Sequence, residues 1–157
     1  MTAILIPIKE HKFLITSSPE TFGDISFYGA TLKTNNINTV ISLIPVSKKL
    51  DGFDNYLLTY DDGDFPPESV TNNFDKIINH TIKKYHTLNV AIHCKAGLGR
   101  SPTLVAYFLI KFLNYQPIDA INYMRNYIPH CINTRQLTYL LGLQSNNILN
   151  KKKFICC

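Results

Sequence analysis

Val90-Ala91-Ile92-His93-Cys94-Lys95-Ala96-Gly97-Leu98-Gly99-Arg100-Ser101-Pro102-Thr103 decides the reading of this chain: an apolar strand runs into a glycine-containing loop and then into a helix. Val90, Ala91 and Ile92 form the short buried strand. Ser101 is a candidate N-cap, Pro102 a first-turn proline, and Leu104, Val105, Phe108, Leu109 and Phe112 follow at helical spacing. Strand, tight loop and helix N-terminus make an anion site, because Gly97 and Gly99 let successive backbone N–H groups turn inward and the helix adds its positive end. The expected occupant is a phosphate, cradled by Lys95, Ala96, Gly97, Leu98, Gly99, Arg100 and Ser101.

Two side chains make this anion site reactive. Cys94 opens the loop and Arg100 closes it, with five residues between them, so both reach one phosphate. A free thiol ionises near pH 8.5, but inward N–H groups, a helix N-terminus and a guanidinium all favour the thiolate. Cys94 is therefore the expected nucleophile. Arg100 offers a planar fork for two oxygens of a transferring phosphoryl group, which lysine cannot reproduce. Ser101 is placed to donate a hydrogen bond to the thiolate as it leaves. His93 is expected to fix the base of the loop by hydrogen bonding.

Attack on a phosphoester needs a proton for the departing oxygen, and Tyr60-Asp61-Asp62-Gly63-Asp64-Phe65-Pro66-Pro67 concentrates three carboxylates in one loop. Asp61 and Asp62 are the candidates; Asp64 lies beyond the Gly63 hinge and is less suited.

The remaining segments place these loops on an α/β scaffold, with a central, largely parallel sheet flanked by helices. Ile4 to Ile8 and Phe13 to Thr16 read as a hairpin at one sheet edge. Thr21 to Lys33 reads as a helix, Thr39 to Ile44 as a strand, and Tyr56 to Thr59 as another. Val70, Phe74, Ile77, Ile78 and Ile82 mark the helix after the acidic loop. Ser101 to Leu113 is the helix after the reactive loop, broken by Asn114 to Pro117. Pro117 to Ile128 then presents Ile118, Ile121 and Met124, and Asn133 to Leu149 presents Leu137, Leu140, Leu141 and Ile148. These stripes are read as core.

With 157 residues, 45% of them hydrophobic, the chain suits one domain over residues 1–150, followed by a basic tail over 151–157. No apolar run approaches a membrane span and no secretory signal is evident, so a cytoplasmic location is expected. The four cysteines show neither metal-type spacing nor a disulfide framework, and no metal or cofactor is called for. The net charge of +5 falls to +2 once Lys151, Lys152 and Lys153 are set aside, and no basic stripe interleaves with aromatics, so a nucleic-acid partner is not expected.

The pattern His-Cys-x-x-Gly-x-x-Arg-Ser, spelled by His93 to Ser101, resembles the signature of the protein tyrosine and dual-specificity phosphatase superfamily. Its Ala-Gly-Leu-Gly-Arg core is most similar to the phosphatases of regenerating liver, the type IVA protein tyrosine phosphatases. Counterparts of Phe13-Leu14-Ile15-Thr16, Asp61-Asp62-Gly63 and Arg135-Gln136-Leu137 occur in the same order. The resemblance implies hydrolysis of phosphate monoesters through a phosphocysteine, with Cys94 as nucleophile, Arg100 on the phosphate and Asp62 as general acid. It also places Gln136 near the hydrolytic water. A phosphotyrosine protein is the implied first substrate. A phosphoinositide is half supported, because Lys95 matches the lipid phosphatases whereas Leu98 stands where they carry a second lysine. Binding of a metal-transport protein of the cyclin M family is the alternative role.

Three departures carry further expectations. The family has alanine after the loop arginine, a feature associated with slow phosphocysteine hydrolysis, so Ser101 implies easier turnover. Its early-strand cysteine, which can pair with the nucleophile, is matched here by Ile44, so that redox switch is expected to be absent unless Cys131 lies close enough to substitute. Relatives end in a basic segment and a prenylated Cys-a-a-X box. Here Phe154 stands four from the end and Cys156 and Cys157 are terminal, which resembles the doubly prenylated tails of Rab-type GTPases and implies a lipidated, peripheral membrane anchor.

Overall fold

A computed structural model describes residues 3–143. Within these residues five strands, β1 (Ala3–Ile8), β2 (His11–Thr16), β3 (Thr39–Ser42), β4 (Asp54–Leu57) and β5 (Asn89–His93), form one sheet in the order β1-β2-β5-β3-β4. The β1–β2 hairpin is antiparallel and lies at the edge, as expected; the other pairings are parallel. Among the described residues six helices surround the sheet: α1 (Pro19–Phe22), α2 (Ile25–Thr34), α3 (Glu68–Tyr85), α4 (Arg100–Leu113), α5 (Pro117–Tyr127) and α6 (Thr134–Gly142).

The central strand shows how the layers arise. Val90 and Ile92 of β5 point into the larger core with Phe74, Ile78, Phe108, Ile121 and Leu140, whereas Ala91 faces the smaller core of Leu14, Tyr28, Leu32 and Val40. Helices α3 to α6 therefore cover one face, and α1 and α2 the other. A strand buried on both sides needs an apolar residue at every position, which is why Val90 to Ile92 carries no polar alternation. In register, Thr16 and Ser42 flank His93, so the reactive loop leaves the carboxyl edge of the sheet between its two parallel neighbours.

Several boundaries differ from the sequence reading. The helix expected over Thr21 to Lys33 is two helices: Gly23 adopts φ 124°, and Asp24 starts α2 by accepting a 3.0 Å hydrogen bond from the Ser26 N–H. Strand β4 lies two residues earlier than expected; it is an edge strand, and Leu57 is exposed. Helix α4 begins at Arg100 with Gly99 as its cap, so Ser101 is a buried first-turn residue and not the N-cap. On α5, Ile118 is exposed and Ala120 packs in its place; on α6, Leu141 is exposed. Ile148, Leu149 and the tail 151–157 lie outside the described residues.

Candidate active site

The reactive loop is held from below before any substrate is considered. His93 is fully buried, and its Nε2 shares a 2.8 Å hydrogen bond with Ser42 Oγ on the neighbouring strand. Burial pushes its ionisation down to about 4, so the ring is neutral at physiological pH. His93 therefore sits beneath the loop as a neutral ring bonded to the neighbouring strand. Gly97 has φ 77°, and a Cβ there would stand 3.1 Å from the Thr16 carbonyl oxygen, so backbone conformation and close approach both require glycine. Ser18 N–H also donates to the Lys95 carbonyl at 3.3 Å, tying the loop to the start of α1.

Cys94 is buried, and its sulfur accepts the Gly97 N–H at 3.2 Å. Burial opposes ionisation of the thiol. It is outweighed by the Ser101 hydroxyl and N–H, the Gly97 N–H and the Arg100 charge, and the thiol is held below its ordinary range. The Ser101 hydroxyl, also fully buried, forms no well-aligned hydrogen bond, yet lies close enough to the sulfur to favour the thiolate. A hydroxyl rotor is free to turn toward charge as it develops.

Arg100 is buried and pinned along one nitrogen: Nη1 donates to the Tyr60 carbonyl at 2.9 Å and to the Leu43 carbonyl at 3.4 Å. Tyr60 returns the contact, its hydroxyl donating to the Arg100 carbonyl at 3.0 Å. The guanidinium is thus oriented by backbone oxygens without being neutralised. Asp62 approaches it from the acidic loop, with Oδ1 3.4 Å from Nε, although its side chain remains 75% exposed. Of the three loop acids this one meets the buried arginine. Asp61 is exposed, with its carbonyl closing a turn to the Asp64 N–H, and Asp64 pairs with Arg135.

Lys95, Ala96 and Leu98 are exposed on the loop surface, and Leu98 is 55% exposed. Gln136, expected near the hydrolytic water, is fully buried: its Nε2 donates to the Asp64 carbonyl at 3.0 Å, and its Oε1 accepts the Asn133 N–H in a capping box. A Cβ on Gly99 would stand 3.3 Å from that same Nε2, so Gln136 binds the acidic loop and leaves little room for a side chain at that point of the reactive loop. Cys94 and Cys131 are both free thiols, and burial pushes Cys131 up to about 11, which disfavours it as an attacking thiolate. Among the described residues no group of His, Cys, Asp and Glu could hold a metal ion. Nor is any helix there long and apolar enough to cross a membrane. Cys156 and Cys157 lie outside the described residues.

Sequence reasoning missed Ser42, Tyr60 and Asn133 as parts of this arrangement, and it weighed Asp64 only as a proton donor and Arg135 only as part of a family counterpart. Only the Asn133-x-x-Gln136 capping pattern carried a local signal.

Comparison with known proteins accords with this geometry. Residues 24–146 match the family model of the dual specificity phosphatase catalytic domain. The chain is 36% identical to the PRL-1 phosphatase of Drosophila melanogaster, covering 87% of this chain and 79% of that protein. It is 35% identical to protein tyrosine phosphatase type IVA 3 of Homo sapiens, covering 86% and 80%. Among solved structures, a kinase associated phosphatase with its catalytic-site cysteine replaced by serine superposes with a TM-score of 0.79 over 95% of this chain and 97% of that one. At 18% identity, it bears on the fold alone. The sheet order, the thiol under a helix N-terminus and these relatives agree, and the chain belongs to the dual specificity phosphatases, as a protein tyrosine phosphatase of the PRL, or type IVA, group.

Proposed function

We propose that the chain hydrolyses phosphotyrosine in proteins by two displacements at Cys94. The observation that carries this is the convergence of a thiol held below its ordinary range, a buried and oriented Arg100, and the Asp62 carboxyl 3.4 Å from that arginine. In the first step the Cys94 thiolate bonds to phosphorus while the ester oxygen departs and takes the Asp62 proton. In the second, water attacks the phosphocysteine and gives a proton to the Asp62 carboxylate, and the sulfur leaves as a thiolate stabilised by Ser101. Arg100 and the loop N–H groups hold the phosphoryl oxygens throughout. Lys95, Ala96, Gly97, Leu98 and Gly99 form the cradle.

The exposed Leu98 favours an aryl ring over an inositol headgroup, since it offers apolar contact where a second cation would be needed. Lys151 to Lys153 with Cys156 and Cys157 supply a membrane tether, in which a basic patch supplements lipid chains. Vesicle flotation of protein from a prenylating host, with and without residues 151–157, tests that tether.

Hydrolysis of an aryl phosphate and of a phosphotyrosine peptide under reducing conditions tests the mechanism. Cys94→Ser should abolish activity, and Asp62→Ala should lower it by about 10²–10⁴. A folded, reduced protein without activity would overturn the catalytic reading and leave the transport-protein binding role. Preference for a phosphoinositide over the peptide would overturn the substrate assignment.

A further inference from the structure

Asp62 itself is loosely held. Among the described residues its carboxylate meets Arg100 and the N–H of its own neighbour Gly63, and it is largely exposed. Such a side chain can be delivered accurately only if the backbone that carries it is fixed elsewhere. The three residues that follow it are fastened to α6. Gly63 accepts the Asn133 side-chain amide at 2.9 Å, and Asp64 accepts the Gln136 amide at 3.0 Å through its carbonyl. The Phe65 ring stacks on Tyr139 with centroids 5.0 Å apart and planes 7° from parallel.

The charged part of this attachment is a fork. Arg135 Nε lies 2.8 Å from Asp64 Oδ1, and its Nη2 donates to Oδ2 at 3.3 Å, while the guanidinium carbon sits 5.5 Å from the Phe65 ring centroid. Two parallel contacts and a ring beneath them fix direction as well as distance, which a single ammonium cannot do.

We infer that the Arg135–Asp64 fork is the latch that holds the acidic loop against α6 and thereby positions Asp62 over Arg100. Arg135 and Asp64 are positioning residues, and neither touches the phosphate. Gln136, which holds the Asp64 carbonyl, also lies beside the reactive loop, since a Cβ added at Gly99 would stand 3.3 Å from its Nε2. The inference rests on Asp62 being the proton donor, and its test separates the two.

The experiment compares kcat/KM on two aryl phosphates, one releasing an acidic nitrophenol and one releasing unsubstituted phenol, whose pKa near that of tyrosine, about 10, makes protonation necessary. Arg135→Gln should lower kcat/KM for phenyl phosphate by about tenfold and that for the nitrophenyl ester by less than about twofold. Competitive inhibition by inorganic phosphate should be unchanged. Arg135→Lys should recover only part of the loss, and the exchange Asp64→Arg with Arg135→Asp should recover more than either single change. Both side chains are partly exposed, at 65% and 32%, so these variants are expected to fold. Equal losses on both esters, or loss confined to phosphate affinity, would overturn the latch. If Asp62→Ala itself showed no leaving-group dependence, the proton-donor assignment would fail first. If Asp62→Ala showed it and Arg135→Gln did not, the latch alone would fail.

Discussion

Acidification should destabilise this fold through His93 in a defined window. The ring is fully buried, with Nε2 on Ser42 Oγ at 2.8 Å and Nδ1 without a well-formed hydrogen bond. Burial holds its pKa at about 4, against about 6.5 in the unfolded chain. Between these values the unfolded chain binds more protons than the folded one, so stability falls as pH drops below about 6.5 and the loss is complete below about 4. The difference corresponds to about 3 kcal/mol, a large share of the 5–15 kcal/mol typical of a domain. Urea unfolding of the wild type and of His93→Gln at intervals from pH 7 to pH 4 isolates the contribution. Gln keeps a polar group at the Nε2 position, and acid effects from other sites such as Glu20 cancel in the difference. The wild type should lose about 3 kcal/mol more than the variant across the window. Parallel curves, or a His93 NMR titration midpoint near 6.5, would refute the argument.

Two further outcomes concern the loop directly. Ser101→Ala should raise the midpoint of the pH profile for Cys94 alkylation by about one to two pH units, the equivalent of a hydrogen bond to a charged group. It should also make phosphocysteine accumulate at saturating substrate, and an unchanged alkylation midpoint would remove Ser101 from thiolate stabilisation. Gly97→Ala should cost about 1–2 kcal/mol for the positive φ alone, with more for the 3.1 Å approach to the Thr16 carbonyl. Thermal melting together with the alkylation rate checks this, since the Gly97 N–H that contacts the sulfur would shift as well.

The parts of the site that were legible in the sequence are those carried by short offsets. Cys94, Gly97, Arg100 and Ser101 are close along the chain, and a strand emptying into a helix constrains them jointly. The sheet class followed from the unbroken apolar run Val90 to Ile92 at the centre of β5. Residues whose role depends on distant pairing left no such trace: Ser42 and His93 are 51 positions apart, Tyr60 and Arg100 40, and Asp64 and Arg135 71. The break between α1 and α2 was hidden because Phe22, Ile25 and Leu32 keep a helical period across it, although Asp24 does cap the second helix. Strand β4 was misplaced because an edge strand with one partner and intermediate burial has little hydrophobic pattern to read. Gln136 was singled out, but its place under the two loops depends on the capping box at the start of α6.

The parallel register around β5 also governs when the protein becomes active as it folds. Lys12 pairs opposite Asn89, and Thr39 opposite Val90, so both neighbours of the central strand are recruited across long loops of chain. Closing such loops costs entropy before the contacts compensate, which makes parallel, non-local sheets slow to form. Until both pairings exist, the Thr16 carbonyl that shapes Gly97 and the Ser42 hydroxyl that seats His93 are absent from the loop. Phosphatase competence should consequently be among the last properties regained on refolding, after helical signal has returned, and a chain stalled earlier would expose the apolar β5 segment to other molecules.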